Sequence, residues 1–331
     1  MKLILLPTHE DRILPFYLAL EEWVARNLPP DEYFFAWQVK PSVICGRHQQ
    51  MHLEVDMDFC AQQGIKVWRR KSGGGCVYSD AHNIMFSYIT PHTGVNGTFR
   101  RYTDMICDML SAIGFGANPS GRNDVEINGM KVAGNAFYSL PGRSIVHGTM
   151  LYDADFPTMS RALTPSRAKL SAKGVKSVPA RITTLKAQGI ELSCDEFIGY
   201  ALGYLCNEEY TLRQADVADV EKIMQTYLVD SFRLDRDMNS AIQPHRLEGV
   251  GELQFSCQIN PEGCIANPHL SGDFFPLKDI DANLLAHISG VKATHDDILN
   301  CLTNLNIPDI ITGLTPDALT SIILESINPN K

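Results

Sequence analysis

Between Pro15 and Leu28 the apolar residues Phe16, Ala19, Leu20, Trp23 and Val24 recur at helical spacing, and Pro15 suits a first helical turn. Short apolar runs at Phe34 to Trp37 and Val43 to Cys45 predict strands, the second ended by Gly46. A short helix is expected from Glu54 to Gln63, stopped by Gly64, and then a buried strand at Val67 and Trp68. From Asn83 to Ile89 both alternating sets are largely apolar, which predicts a central strand covered on both faces. Thr98 reads as the N-cap of a helix over Phe99 to Ile113, with Gly114 at its C-terminal cap.

Asn128-Gly129 between two strand-like runs predicts a two-residue hairpin. Counting outward from that turn pairs Ile127 with Met130, Glu126 with Lys131 and Val125 with Val132. Val125, Ile127, Met130 and Val132 then share an apolar face, and Asp124, Glu126, Lys131 and Ala133 a polar one. On this segment alone Lys131 is an ordinary surface lysine whose cross-strand pair with Glu126 contributes roughly 0.2–1 kcal/mol. His147 to Tyr152 predicts another strand, with His147 a satisfied core or edge histidine. Ser193 with Glu196 forms a capping box before Phe197, Leu202 and Leu205, and Asp216 is expected to cap the next helix. Residues Asp230 to Pro244 are polar and linker-like. Strands at Gly251 to Ile259 and Gly263 to Leu270, with helices starting near Asp279, Thr294 and Thr315-Pro316, then predict a small α+β domain.

A chain of 331 residues can bury a sizeable core and form two domains, here expected at 1–243 and 244–331 with a linker at about 230–244. The net charge of −9 argues against general nucleic-acid binding. Leu3 to Leu6 is too short for a signal-peptide core and no later run is long enough to span a bilayer, so the expectation is a cytoplasmic protein without membrane contact. Nine cysteines without a C-x-x-C pair read as reduced thiols rather than a zinc site or disulfide framework. One segment changes this picture. From Phe156 to Ile190 there is no acid, while Arg161, Arg167, Lys169, Lys173, Lys176, Arg181 and Lys186 stand in it. It is either a solvated basic face or a surface that steers an acidic partner.

The candidate chemistry lies at Arg69-Arg70-Lys71-Ser72-Gly73-Gly74-Gly75-Cys76-Val77-Tyr78. Three glycines let backbone N–H groups approach an anion, and guanidinium binds phosphate or carboxylate through paired bonds. A flexible glycine loop with solvated arginines fits the same residues. Neither a Walker loop nor a dinucleotide fingerprint is present, since no GK[ST] follows and the G-x-G-x-x-G spacing is absent. Together with Asp80 and Asn83, Lys131-Val132-Ala133-Gly134-Asn135-Ala136 and His147-Gly148-Thr149, this stretch resembles the lipoate-protein ligase A family in order and spacing.

The resemblance implies an α+β fold: a large catalytic domain with a mixed sheet flanked by helices, and a small C-terminal α+β accessory domain. It implies an ATP-dependent ligase that activates lipoate or octanoate to the acyl-AMP. The acyl group is then transferred to a lysine of lipoyl domains, in 2-oxo-acid dehydrogenase E2 subunits and the glycine cleavage H protein. Lys131 would be the essential lysine. Arg70, Gly75, Cys76, Val77, Tyr78 and Lys131 would bind the nucleotide, and Arg70, Gly74, Gly75 and Lys131 the lipoate. Asp124 beside Asn123 would hold Mg²⁺ or simply be a strand-end carboxylate. Ser79, His82, Met85 and Ala133 depart from the family pattern, where histidine, glycine, asparagine and serine are usual. An octanoyl or lipoyl transferase of the same superfamily is the nearest rival and would need an acyl-bearing cysteine, of which Cys107 is the closest upstream. A non-catalytic lipoate-binding protein is the remaining alternative.

Overall fold

The computed structural model describes residues 1–92, 94–121, 123–164, 181–235 and 244–327. The chain divides into two compact units, one of Met1–Cys45, His52–Arg70 and Cys76–Leu234, the other of Gly46–Met51, Lys71–Gly75 and Asp235–Lys331.

In the first unit the strands in chain order are β1 (Lys2–Leu5), β2 (Tyr33–Trp37), β3 (Ser42–Cys45), β4 (Lys66–Arg69), β5 (Val77–Ser79), β6 (Asn83–Thr90), β7 (Ala117–Ser120), β8 (Asp124–Ile127), β9 (Met130–Leu140), β10 (Arg143–Leu151) and β11 (Glu208–Thr211). Eight of them form one sheet in the order β11-β1-β2-β6-β10-β9-β8-β7, and β4-β3-β5 form a second. Both are mixed: β1 runs parallel to β11 and β2, and β3 parallel to β4, while the remaining pairs are antiparallel. As its two-sided apolar pattern predicts, β6 lies between β2 and β10 and is buried along its whole length. The helix Leu14–Asn27 packs Phe16, Ala19, Leu20, Trp23 and Val24 into a core with Trp37, Ile89, Ile145, Val217 and Val220.

Within that core lies a polar chain. The Glu21 carboxylate meets His147 Nδ1 at 2.7 Å and accepts from Ser87 Oγ at 2.5 Å, while Trp37 Nε1 donates to Ser87 Oγ at 2.9 Å. All four residues are buried. His147 is thus the satisfied core histidine the sequence suggested. Glu21→Ala removes the acceptor shared by Ser87 and His147 and is expected to cost about 2 kcal/mol in urea unfolding, since an unsatisfied buried group costs roughly 1–3 kcal/mol. A loss below about 0.5 kcal/mol would mean that the network adds nothing.

Several elements differ from expectation. The predicted helix over 54–63 is two short ones, Met51–Glu54 and Met57–Gln62, because Val55 bridges Leu163 and Asp56 caps the second through Phe59 N. Val67 and Trp68 are half-buried, as befits β4 at the edge of its sheet. The helix expected from Phe99 begins a turn earlier, at Val95 after Gly94 (φ 104°), so Thr98 lies inside it and bonds Gly94 O. Asp216 sits at the third helical position rather than the cap, and its carboxylate accepts from Arg213 N. The Ser193–Glu196 capping box forms as read.

In the second unit β12 (His245–Leu247), β13 (Gly251–Ile259) and β14 (Ile265–Gly272) form an antiparallel sheet, with helices His295–Asn304 and Pro316–Ile327 closing a core around Leu253, Phe255, Leu270, Phe274 and Leu319. Thr294 caps the first of these helices through Asp297 N, where that helix was expected to start. No helix among the described residues is long and apolar enough to cross a membrane.

Candidate active site

The hairpin turn forms as read, with Asn128 (φ 52°) and Gly129 (φ 74°) both left-handed. Ile127 pairs Met130 and Glu126 pairs Lys131, but Val125 pairs Ala133 and Asp124 pairs Gly134. Val132 is the extra residue of a bulge, so the expected Val125–Val132 pairing is wrong. Although Glu126 stands across from it, the Lys131 ammonium makes its ion pair with Asp124, Nζ lying 2.8 Å from Asp124 Oδ1. The other Asp124 oxygen takes Arg181 Nη2 at 2.5 Å.

The surroundings hold this group in place. Asn123 O accepts from Asn135 N at 2.9 Å and from Asn135 Nδ2 at 2.8 Å, and Asn123 Nδ2 returns a bond to Asn135 O at 2.7 Å. Arg181 O accepts from Lys131 N and Thr183 N donates to Lys131 O, with Ile182 bridged in parallel to Lys131. A Cβ on Gly134 would lie 2.4 Å from Lys131 Nζ. A side chain at position 134 would therefore push the lysine tip aside where it crosses its own strand. Asp124 is buried, whereas the Lys131 and Arg181 side chains are 21% and 23% exposed. The arrangement can present an ammonium outward from a fixed root. A Mg²⁺ ion at Asp124 would share that carboxylate with both cations, the ammonium on Oδ1 and the guanidinium on Oδ2.

Arg70 is buried at the end of β4, where its Nη1 donates to Ile44 O at 2.9 Å. Burial pushes the guanidinium down to about 10, so it is still a cation at neutral pH. Cys76, Val77 and Tyr78 enter β5 opposite β3, and the Sγ atoms of Cys76 and Cys45 lie 2.8 Å apart. Burial, then that sulfur contact, pushes the Cys76 thiol well up. Burial also pushes Cys107 up to about 12 within the helix Val95–Ser111. An acyl-bearing thiol reacts as thiolate, the form that burial disfavours at both positions.

The glycines behave differently from a simple anion cradle. In the second unit Gly74 N donates to Phe274 O at 3.2 Å, and a Cβ on Gly73 would fall 2.4 Å from that same oxygen. Gly74 is glycine in the left-handed region (φ 83°), and its N–H is spent on protein rather than presented to a ligand. Of the four departures from pattern, Ser79, Met85 and Ala133 are buried, and Ser79 Oγ makes no hydrogen bond among the described residues. In the basic run, positions 165–180 lie outside the described residues; Arg181, at its edge, belongs to the Lys131 site rather than to a free surface. Its location in an acid-free basic segment was the available signal, and its partner Asp124 could not be found without the long-range pairing of residues 181–183 with Lys131.

Residues 15–205 match the family model of the lipoyl protein ligase A/B catalytic domain, and 241–323 that of the bacterial lipoate protein ligase C-terminus. The chain is 28% identical over 319 residues to lipoate-protein ligase LplJ of Bacillus subtilis, covering 92% of this chain and 95% of that protein. It is similar in fold to the P. falciparum LipL1 structure solved with lipoate, at TM-score 0.79 and 20% identity, over 98% of this chain and 100% of that one. It is also similar to a lipoate-protein ligase A structure bound with ATP, at TM-score 0.60 and 21% identity, over 70% and 97%. With a catalytic-domain match across more than half of its residues and the two motif segments carrying Arg70 and Lys131 inside that match, the chain belongs to the lipoate-protein ligase A family.

Proposed function

We propose that this chain is an ATP-dependent lipoate-protein ligase. The observation that carries the reading is the Lys131 ammonium, anchored at 2.8 Å on a buried carboxylate while its side chain stays 21% exposed. In the first step an oxygen of the lipoate or octanoate carboxylate bonds to the α-phosphorus of ATP, and the bond to pyrophosphate breaks. In the second, an acceptor lysine amine attacks the acyl carbonyl and AMP leaves with the bonding pair. Neither step requires a nucleophile from the enzyme. Both require anions held together and developing charge stabilised in a water-poor site. Lys131 would lie between acyl carbonyl and α-phosphate, with Arg70 as a second cation and Cys76, Val77 and Tyr78 at the nucleotide.

Gly74 is left out of the proposed contacts because its N–H is engaged, and Gly75 stays a reading from sequence alone. Mg²⁺ would enter on the ATP phosphates as part of the substrate. The acceptors would be lipoyl domains of 2-oxo-acid dehydrogenase E2 subunits and glycine cleavage H protein, in the cytoplasm, with no nucleic acid or membrane involved. The chain would divide into a catalytic part, 1–243, and an accessory part, 244–331.

Lipoate-dependent ATP–pyrophosphate exchange by the purified chain, followed by mass gain on a lipoyl domain, tests this reading. Absence of exchange favours a lipoate-binding protein. Mass gain from octanoyl-carrier protein without ATP favours the transferase. The buried Cys107 leads us to expect full exchange in Cys107→Ala and no iodoacetamide labelling of Cys107 before denaturation; a thioester trapped on it would reverse the assignment.

A further inference from the structure

A third charged group, the Arg181 guanidinium, lies beside the ammonium and its carboxylate, and it has no part in the reaction scheme above. Arg181 Nη2 holds Asp124 Oδ2 at 2.5 Å while Lys131 Nζ holds Oδ1 at 2.8 Å. The segment carrying the guanidinium is also laddered to Lys131 itself, through Lys131 N to Arg181 O at 2.9 Å and Thr183 N to Lys131 O at 2.8 Å.

We propose that Asp124 and Arg181 form a positioning pair for Lys131, with Arg181 acting only through Asp124. This rests on the reading of Lys131 as the catalytic lysine. A carboxylate with both oxygens open accepts an ammonium across a range of positions. A planar guanidinium on one oxygen fixes the orientation of the carboxylate and confines the ammonium to the other. Asp124 is itself immobilised, since Asn123 and Asn135 exchange three hydrogen bonds immediately before it and Gly134 lies opposite it. Lys131 Nζ therefore rests at one point over Gly134, tethered on its inner side and open on its outer side. The cluster as a whole carries one net positive charge toward an incoming phosphate.

A double-mutant cycle in the full chain tests the pair, with lipoate-dependent exchange as the readout and thermal melting to establish folding. Arg181→Gln is expected to lower kcat about ten-fold with KM for ATP and lipoate unchanged, and Asp124→Asn about a hundred-fold, the scale of an ångström-sized misplacement. The double variant should be no slower than Asp124→Asn alone, because both changes remove one tether. Arg181→Lys should fall between Arg181→Gln and the unaltered chain, and it keeps the test open should Asp124→Asn fail to fold. Losses that multiply, a raised KM for ATP with kcat intact, or wild-type kinetics in Arg181→Gln would overturn the proposal.

A second readout needs no activity. Acetic anhydride labelling of Lys131, followed by mass spectrometry, should quicken several-fold in Asp124→Asn. Unchanged labelling in the folded variant overturns the pair. If the unaltered chain shows no exchange, the ligase reading fails and the labelling result alone decides the positioning pair.

Discussion

Replacing Lys131 with alanine is expected to lower lipoate-dependent ATP–pyrophosphate exchange by about 10²–10³, the loss typical of one preorganised charge donor in a transition state. Folding should survive, for a structural reason. Asp124 keeps Arg181 at 2.5 Å after the ammonium is gone, so no buried carboxylate is left without a counter-charge. The thermal midpoint should move by no more than a few degrees while exchange collapses. Transfer from supplied lipoyl-AMP to a lipoyl domain should fall as well, because the same ammonium would face the acyl carbonyl in the second step. Wild-type exchange in this variant would remove Lys131 from the mechanism.

Gly134→Ala should produce a large loss by a different route. The new methyl would lie 2.4 Å from Lys131 Nζ and 2.7 Å from Cε. Both atoms are at the far end of a flexible side chain, so the strand can stay in place while the ammonium is driven off Asp124 Oδ1. A displacement of about an ångström in a catalytic group costs on the order of 10² in rate. Exchange should therefore fall about 10–100-fold in kcat with the melting temperature almost unchanged. A large drop in melting temperature at retained kcat would mean that the strand moves and the lysine does not. Gly73→Ala makes the opposite case. Its methyl would meet the backbone oxygen of Phe274 at 2.4 Å and Pro276 Cδ at 2.7 Å, which flexible side chains cannot relieve, so stability should suffer first.

The elements that were legible in the sequence are those whose burial writes a periodic pattern. The helix from Leu14, the two-sided strand β6, the hairpin turn at Asn128-Gly129 and the capped helix after Ser193 are each specified by local residues. Edge strands are not. Ala117–Ser120 and Glu208–Thr211 are polar and mostly exposed, and only their neighbours in the sheet make them strands. The second unit lost β12 for the same reason, since His245–Leu247 is a three-residue edge without alternation.

The site shows the same division. The sequence singled out Lys131, Arg70 and Asp124 by motif and resemblance, and the structure places Lys131 and Asp124 in contact. What it could not supply was which acid meets the lysine. Counting from the turn pointed to Glu126, which does stand across from Lys131, but the ammonium makes its ion pair with Asp124 instead. Arg181 was hidden by distance along the chain, being brought to β9 only by backbone pairing of Arg181 and Thr183 with Lys131. At Gly74 three glycines suggest an open cradle, while the group that receives its N–H, the carbonyl of Phe274, lies two hundred positions away and leaves no local signal.

The central claim is that one ammonium, fixed on its inner side by Asp124, meets the mixed anhydride on its outer side. A crystal structure with a non-hydrolysable lipoyl-adenylate analogue examines it most directly. Lys131 Nζ should lie about 3 Å from both the phosphate oxygen and the acyl carbonyl oxygen, with Asp124 still within hydrogen-bond reach. An analogue bound in full occupancy with Nζ turned away from both oxygens would contradict the account.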